Sequence, residues 1–165
     1  MRVTILIAVM LAACAAEQKV PTDTMLWRVN GWRQPPPGAR QDVRVSLGTI
    51  VTFRSSGEYV EVHCALIEQP DQTVLIQSGR PCVAAVGRWE QKGGEVIVTR
   101  EIATAAALCS KPAVVFRVTG NSVTADLTGE GPQSYTPVTR FVAPEFESQV
   151  ELAKKSGKRC APPLN

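Results

Sequence analysis

The sequence predicts an all-β fold: a small antiparallel meander barrel of about eight strands with one short C-terminal helix. Three observations carry this. Apolar and polar residues alternate with a period of two over much of the chain, as in a strand with one buried face. Turn signals rich in Gly, Pro and Asn recur at intervals of about 8–12 residues, in a chain with 12 glycines and 12 prolines. Only one segment, after Pro144, carries a helical period.

In chain order, Trp27 and Trp32 precede Pro35-Pro36-Pro37-Gly38, read as a stiff polyproline II lead-in loop. Val43, Val45, Leu47, Val51 and Phe53 then share one face of a strand, with Arg44, Ser46, Thr52 and Arg54 between them. Ser55-Ser56-Gly57 turns the chain into a strand over Glu58–Leu66. This places Val60, Val62, Cys64 and Leu66 on one face and Tyr59, Glu61 and His63 on the other, read as facing water. Further strands are expected at Thr73–Gln77, Cys82–Glu90 and Glu95–Thr104, where Arg100 interrupts the apolar face of Val96, Val98 and Ile102. Ala105–Leu108 reads as a helical turn or a loop. Ala113–Thr119, the segment Val123–Leu127 and Tyr135–Val142 complete the set, with Gly120-Asn121 as a hairpin turn. Without helices between strands, the pairing must be antiparallel. Closure removes exposed edges, which favours a barrel over a sandwich.

The helix follows from Pro144 in its first turn, Glu145 and Glu147 at its positive end and Lys154-Lys155 at its negative end. Phe146, Val150 and Ala153 share a face, and Gly157 ends it.

The N-terminus has a separate meaning. Met1-Arg2 supplies one positive charge, Val3–Leu11 is apolar except for Thr4, and Ala12-Ala13 precede Cys14. This is the layout of a secretory signal, with an apolar run too short to span a membrane, which takes about 20 residues. Leu11-Ala12-Ala13-Cys14 resembles the lipobox of bacterial lipoproteins. The resemblance implies cleavage before Cys14, a diacylglycerol on its thiol, and often an acyl chain such as palmitate on the new amino group. Each buried CH₂ contributes about 0.8 kcal/mol, so two or three chains anchor a protein stably. Ala15 follows the cysteine, and in enteric members of that family an absent aspartate implies the outer membrane. The expected organisation is a signal over 1–13, a lipidated tether over 14–26, which is polar and aperiodic through residue 24, and one domain over 27–165.

Loss of residues 1–13 takes Arg2 from 18 basic residues set against 15 acidic ones, lowering the net charge from +3 to +2. That balance gives no case for nucleic acid. Setting Cys14 aside leaves Cys64, Cys82, Cys109 and Cys160, an even set that in an exported protein implies two disulfides. Three connectivities are open. Cys64–Cys82 with Cys109–Cys160 is preferred, because it closes two loops without crossing and ties down the tail. His63, the only histidine, is adjacent to Cys64, and neighbours on a strand point to opposite faces, so no metal site or cofactor is expected.

Gly87-Arg88-Trp89 resembles the Gly-x-Trp motif of lipocalins, eight-stranded barrels with a following helix that carry small apolar molecules. The match covers three residues and lies mid-chain, whereas the family has it near the first strand. It makes Trp89 a candidate ligand contact, beside its reading as a packing residue. Lys154, Lys155, Lys158 and Arg159 are candidate contacts to an anionic envelope surface, beside their reading as a solvated helix end. No nucleophile elbow, phosphate-binding loop or zinc-protease motif occurs, so no catalytic residue is assigned. The expected function is a non-catalytic, lipid-anchored envelope module, displayed in the periplasm, that binds or props another envelope component. The alternatives are a lipocalin-like carrier or sensor of a small apolar ligand and a periplasmic enzyme inhibitor.

Overall fold

The structure, a computed structural model, describes residues 18–162. The signal over 1–13, Cys14 and the start of the tether lie outside the described residues. Ten strands and two helices follow one another: β1 Met25–Val29, β2 Arg44–Phe53, β3 Glu58–Glu68, β4 Val74–Ile76, β5 Val83–Lys92, β6 Glu95–Ala103, α1 Ala106–Cys109, β7 Ala113–Thr119, β8 Ser122–Ala125, β9 Gln133–Pro137, α2 Ala143–Ser156 and β10 Lys158–Arg159. Eight of them close an antiparallel meander barrel, in which β6 pairs with β7 and the first strand, β1, pairs with the last, β9. Two strands lie outside the ring: β4 adds to the end of β3, and β10 adds to β6.

The fold class is the one the alternation predicts, but the membership of the ring differs. The expected strand over Thr73–Gln77 is β4, an outer strand. The eighth barrel strand is β1, which overlaps the expected tether at Met25-Leu26 and continues through Trp27–Val29, where the sequence predicts no strand. Leu26 is fully buried, Val20 is buried in the same core, and the domain therefore takes in much of the segment expected to be a tether. The last strand ends at Pro137, short of the expected Val142. The chain then crosses to β4, where the Val74 N–H donates to the Arg140 carbonyl at 2.9 Å and Phe141 bridges Val74.

Both faces of the β2–β3 hairpin are buried, for different reasons. Val51, Phe53 and Tyr59 point into the barrel, where they meet Val96, Val98, Val114, Phe116 and Tyr135. Val60, Val62, Cys64 and Leu66 point outward and are covered by Phe146, Val150 and Ala153 of α2. The helix stripe read from the sequence thus packs on the outer wall. Ion pairs fix its angle: Arg54 reaches Glu58 at 2.8 Å and Glu147 at 2.7 Å, and Lys154 reaches Glu58 at 2.8 Å. Gly157 follows the helix with φ −68° and needs no left-handed turn. A Cβ there would lie 2.4 Å from the Ala153 carbonyl oxygen and 2.5 Å from the Ile102 side chain, so glycine lets the chain hug β6.

Both disulfides form as preferred, Cys64–Cys82 with Cα atoms 4.7 Å apart and Cys109–Cys160 with 4.9 Å. The second staples the tail to α1 on the far side of β6. Replacing Cys109 and Cys160 together by serine should lower stability by about 2–4 kcal/mol. It should also speed hydrogen exchange of the Cys160 amide, which donates to the Glu101 carbonyl at 2.9 Å. Unfolding midpoints and amide exchange equal to those of the parent chain would show that the staple contributes nothing.

Candidate functional site

The two ends of the barrel differ. At one end the chain seals it. Val20 inserts into the core, its amide donates to Gln91 Oε1 at 3.0 Å, and Gln91 Nε2 donates to the Gln18 carbonyl at 2.6 Å. Trp89 belongs to the same closure. Its ring meets Phe53 edge-on at 5.9 Å, and its Nε1–H donates to the Arg54 carbonyl at 2.9 Å. Phe53, Tyr59, Phe116 and Tyr135 fill this half with tilted and edge-on ring contacts. An eight-stranded barrel is only just wide enough for side chains to fill.

Each residue of the Gly87-Arg88-Trp89 motif has a local task. A β-bulge lies between Val86 and Gly87. A Cβ on Gly87 would sit 2.0 Å from the Thr99 carbonyl oxygen, so only glycine permits this approach of β5 to β6. Arg88 is exposed and pairs with Glu101 at 2.9 Å. Trp89 is a packing and hydrogen-bonding residue at the sealed end and lines no part of the open end.

The middle of the barrel carries a charged pair. Glu61 on β3 and Arg100 on β6 are 0% and 2% exposed. Arg100 Nε donates to Glu61 Oε2 at 2.9 Å, and its Nη2 donates to Oε1 at 2.9 Å and Oε2 at 2.7 Å. Its Nη1 donates to the carbonyls of Leu108 and Lys111, at 3.1 and 3.0 Å, holding the loop around α1. Tyr59 donates its hydroxyl to Glu61 Oε2 at 3.0 Å, and the His63 ring binds Oε1 through Nε2. The face read as solvent-facing from Tyr59, Glu61 and His63 is therefore the inner face of the barrel, and Arg100 interrupts an apolar stripe because it reaches this carboxylate.

Burial by itself raises the Glu61 carboxyl, but the hydrogen bond from His63 and the charge of Arg100 outweigh it and hold the group below the ordinary glutamate value. Burial, with the neighbouring Glu61 charge, pushes the Tyr59 phenol well above its ordinary value, so it stays a donor. An ionised Glu61 only accepts, so His63 Nε2 carries the hydrogen between them. In the neutral ring Nδ1 then accepts from the Thr49 hydroxyl, 2.9 Å away.

Thr49 and His63 form the floor of the open end. A cavity of about 750 Å³ lies above them, lined among others by Arg28, Asn30, Arg33, Leu47, Arg80 and Glu130. Arg40, Arg44, Arg54, Arg88, Arg100 and Arg117 all have carboxylate partners. Among the described residues Arg28, Arg33, Arg80, Arg140 and Arg159 have none, and the first three of these line this mouth. Sequence reasoning missed these three: they come from β1, the segment after it and the 78–81 turn, and only barrel closure brings them together.

The C-terminal cations lie on two elements, α2 and β10. Lys154 is engaged with Glu58 and Glu151, Lys155 is exposed on α2, and Lys158 and Arg159 are exposed on β10 along β6. Among the described residues no group of three or more His, Cys, Asp or Glu side chains is placed to hold a metal ion, and no helix is long and apolar enough to cross a membrane. No protein-family model matches the chain, and no curated protein is similar enough to it to count as a relative.

The buried pair should dominate stability. Glu61→Leu or Arg100→Met alone should each cost about 3–5 kcal/mol, because each strands a buried charge, and the two together should cost less than the sum. The lowered Glu61 value also gives the pH sign. Its contribution is complete above the unfolded carboxyl value, about 4.3, and disappears as pH falls through the lower folded value. Urea denaturation between pH 2 and 7 checks both effects. Additive single-site costs, or a parent chain whose stability does not fall in acid, would contradict the assignment.

Proposed function

We propose that the chain is a non-catalytic, lipid-anchored envelope protein that binds another envelope component at the open mouth of its barrel. The observation that carries this reading is the asymmetry of the ends, one plugged by Val20 and Trp89 and the other opening into a cavity with convergent arginine side chains. Cavities of a few hundred Å³ with convergent polar groups are the usual form of a binding site. The lipobox-like Leu11-Ala12-Ala13-Cys14 supports an acylated Cys14, and the two disulfides accord with an exported protein.

The anchor also orients the mouth. Four residue steps lead from Cys14 to Gln18, which lies against the sealed end, where its Oε1 accepts from the Gly120 amide at 3.3 Å. At about 3.3–3.6 Å per residue this leaves a reach of about 14 Å. A strand of ten residues such as β2 spans more than twice that, at about 3.3 Å each. The sealed end therefore sits by the anchoring membrane and the mouth faces away from it.

A photo-crosslinking residue at Leu47, 63% exposed on the mouth rim, should capture a reproducible partner in cells, and one at Val115 on the barrel wall should not. Cys14→Ser should move the protein from the membrane to the soluble fraction. Equal capture from both positions, or a membrane-bound Cys14→Ser chain without acyl groups by mass spectrometry, would overturn the reading.

A further inference from the structure

We infer that the mouth recognises a small polyanion, a free molecule with two or more phosphate or carboxylate groups, through Arg28, Arg33 and Arg80. This rests on the mouth being the binding site and adds the chemistry of what it takes.

Three guanidiniums line the cavity against the single carboxylate of Glu130. None of the three has a carboxylate partner among the described residues, while six other arginines of the same chain do. Arg140 and Arg159 also lack one, but neither lines the cavity, and three unpaired guanidiniums around one concavity present a local positive field, focused by the low-dielectric walls. Arginine is also the residue whose planar fork matches an oxyanion with two parallel hydrogen bonds.

The floor adds polarity in place of an apolar bottom. Thr49 and His63 are held by the chain of hydrogen bonds that ends on Glu61 and Arg100. The Glu61 charge does not oppose an anion here, because Arg100 neutralises it below the floor. Of the three, Arg28 follows the core most directly, two residues after the fully buried Leu26 and on the same face of β1. Arg33 is held in place by its backbone, which exchanges both hydrogen bonds with Val45 at 2.9 Å. Two of the three cations are thus carried on paired backbone, which limits the entropy lost on binding.

The orientation of the barrel selects between sources of such chemistry. A phospholipid headgroup in the anchoring membrane lies at the sealed end, out of reach of the mouth, so the ligand is a free polyanion.

The test uses the full chain purified from membranes in neutral detergent, with isothermal titration of three probes. These are pyrophosphate, citrate, and glycerophosphoglycerol, the water-soluble headgroup of phosphatidylglycerol. Pyrophosphate or citrate should bind saturably and more tightly than the singly charged headgroup. Arg28→Gln, Arg33→Gln and Arg80→Gln should each weaken it about tenfold or more, as loss of charge-assisted hydrogen bonds implies. Arg28→Lys should recover only part of that loss, because an ammonium cannot chelate two oxygens. Arg117→Gln, the same change at an arginine paired with Glu95 on the outer wall, should leave binding unchanged. Circular dichroism melts equal to the parent chain establish that the variants are folded.

No saturable binding of either polyanion at millimolar concentration overturns the inference, as does binding that survives all three arginine changes. Headgroup binding as tight as polyanion binding overturns the assignment to a free ligand. If Leu47 captures a partner while neither polyanion binds, the anion chemistry falls and the mouth remains the binding end.

Discussion

Glu61 and Arg100 meet inside the barrel with no water-exposed surface worth the name, and the local order of the molecule follows from making that contact tolerable. A buried carboxylate and guanidinium are each costly to desolvate, and they persist only when every remaining donor and acceptor is satisfied. Here Tyr59, His63 and two carbonyls near α1 complete the set. Space for the pair comes from β5, which runs between β3 and β6 and places only Ala85 opposite Glu61 and Gly87 opposite Arg100. The bulge and the glycine that the motif around Trp89 displays are thus tied to the charged centre: they draw β5 against β6 where the guanidinium passes.

The pair divides the barrel into two halves. On one side lies the aromatic core sealed by Val20 and Trp89. On the other, His63 and Thr49 relay the hydrogen-bond chain to a cavity rimmed by unpaired arginines. An apolar core packed throughout would have been at least as stable. The polar centre gives the upper half a floor of fixed donors and acceptors, which is the property a binding site needs and a core does not.

Alternation and turn spacing made the barrel legible, and the stripe of Phe146, Val150 and Ala153 made the helix legible. Two things escaped. The strand over Met25–Val29 has no visible alternation, because Leu26 faces the core while Met25, Trp27 and Val29 pack partly buried on the outer wall. The site escaped because a period of two states which residues share a face but not which face is inside. Tyr59, Glu61 and His63 read as the wet face only because the other face was more apolar, and that face is covered by a helix distant in sequence. One signal was present: an arginine in register with Val96 and Val98 must leave the barrel or find an acid within it, and fully buried arginine without a partner is rare. The mouth arginines had no such signal, since nothing local distinguishes Arg28, Arg33 or Arg80 from other surface cations.

The central claim is that a buried Arg100–Glu61 pair fixes His63 as the floor of the mouth. Nitrogen-15 NMR of the His63 ring tests it most directly. The account predicts a hydrogen on Nε2, held between the ring and the Glu61 carboxylate and seen as a slowly exchanging downfield proton that disappears in the Glu61→Gln chain. A ring with no hydrogen on Nε2, or an Nε2 proton in free exchange with water, would contradict it.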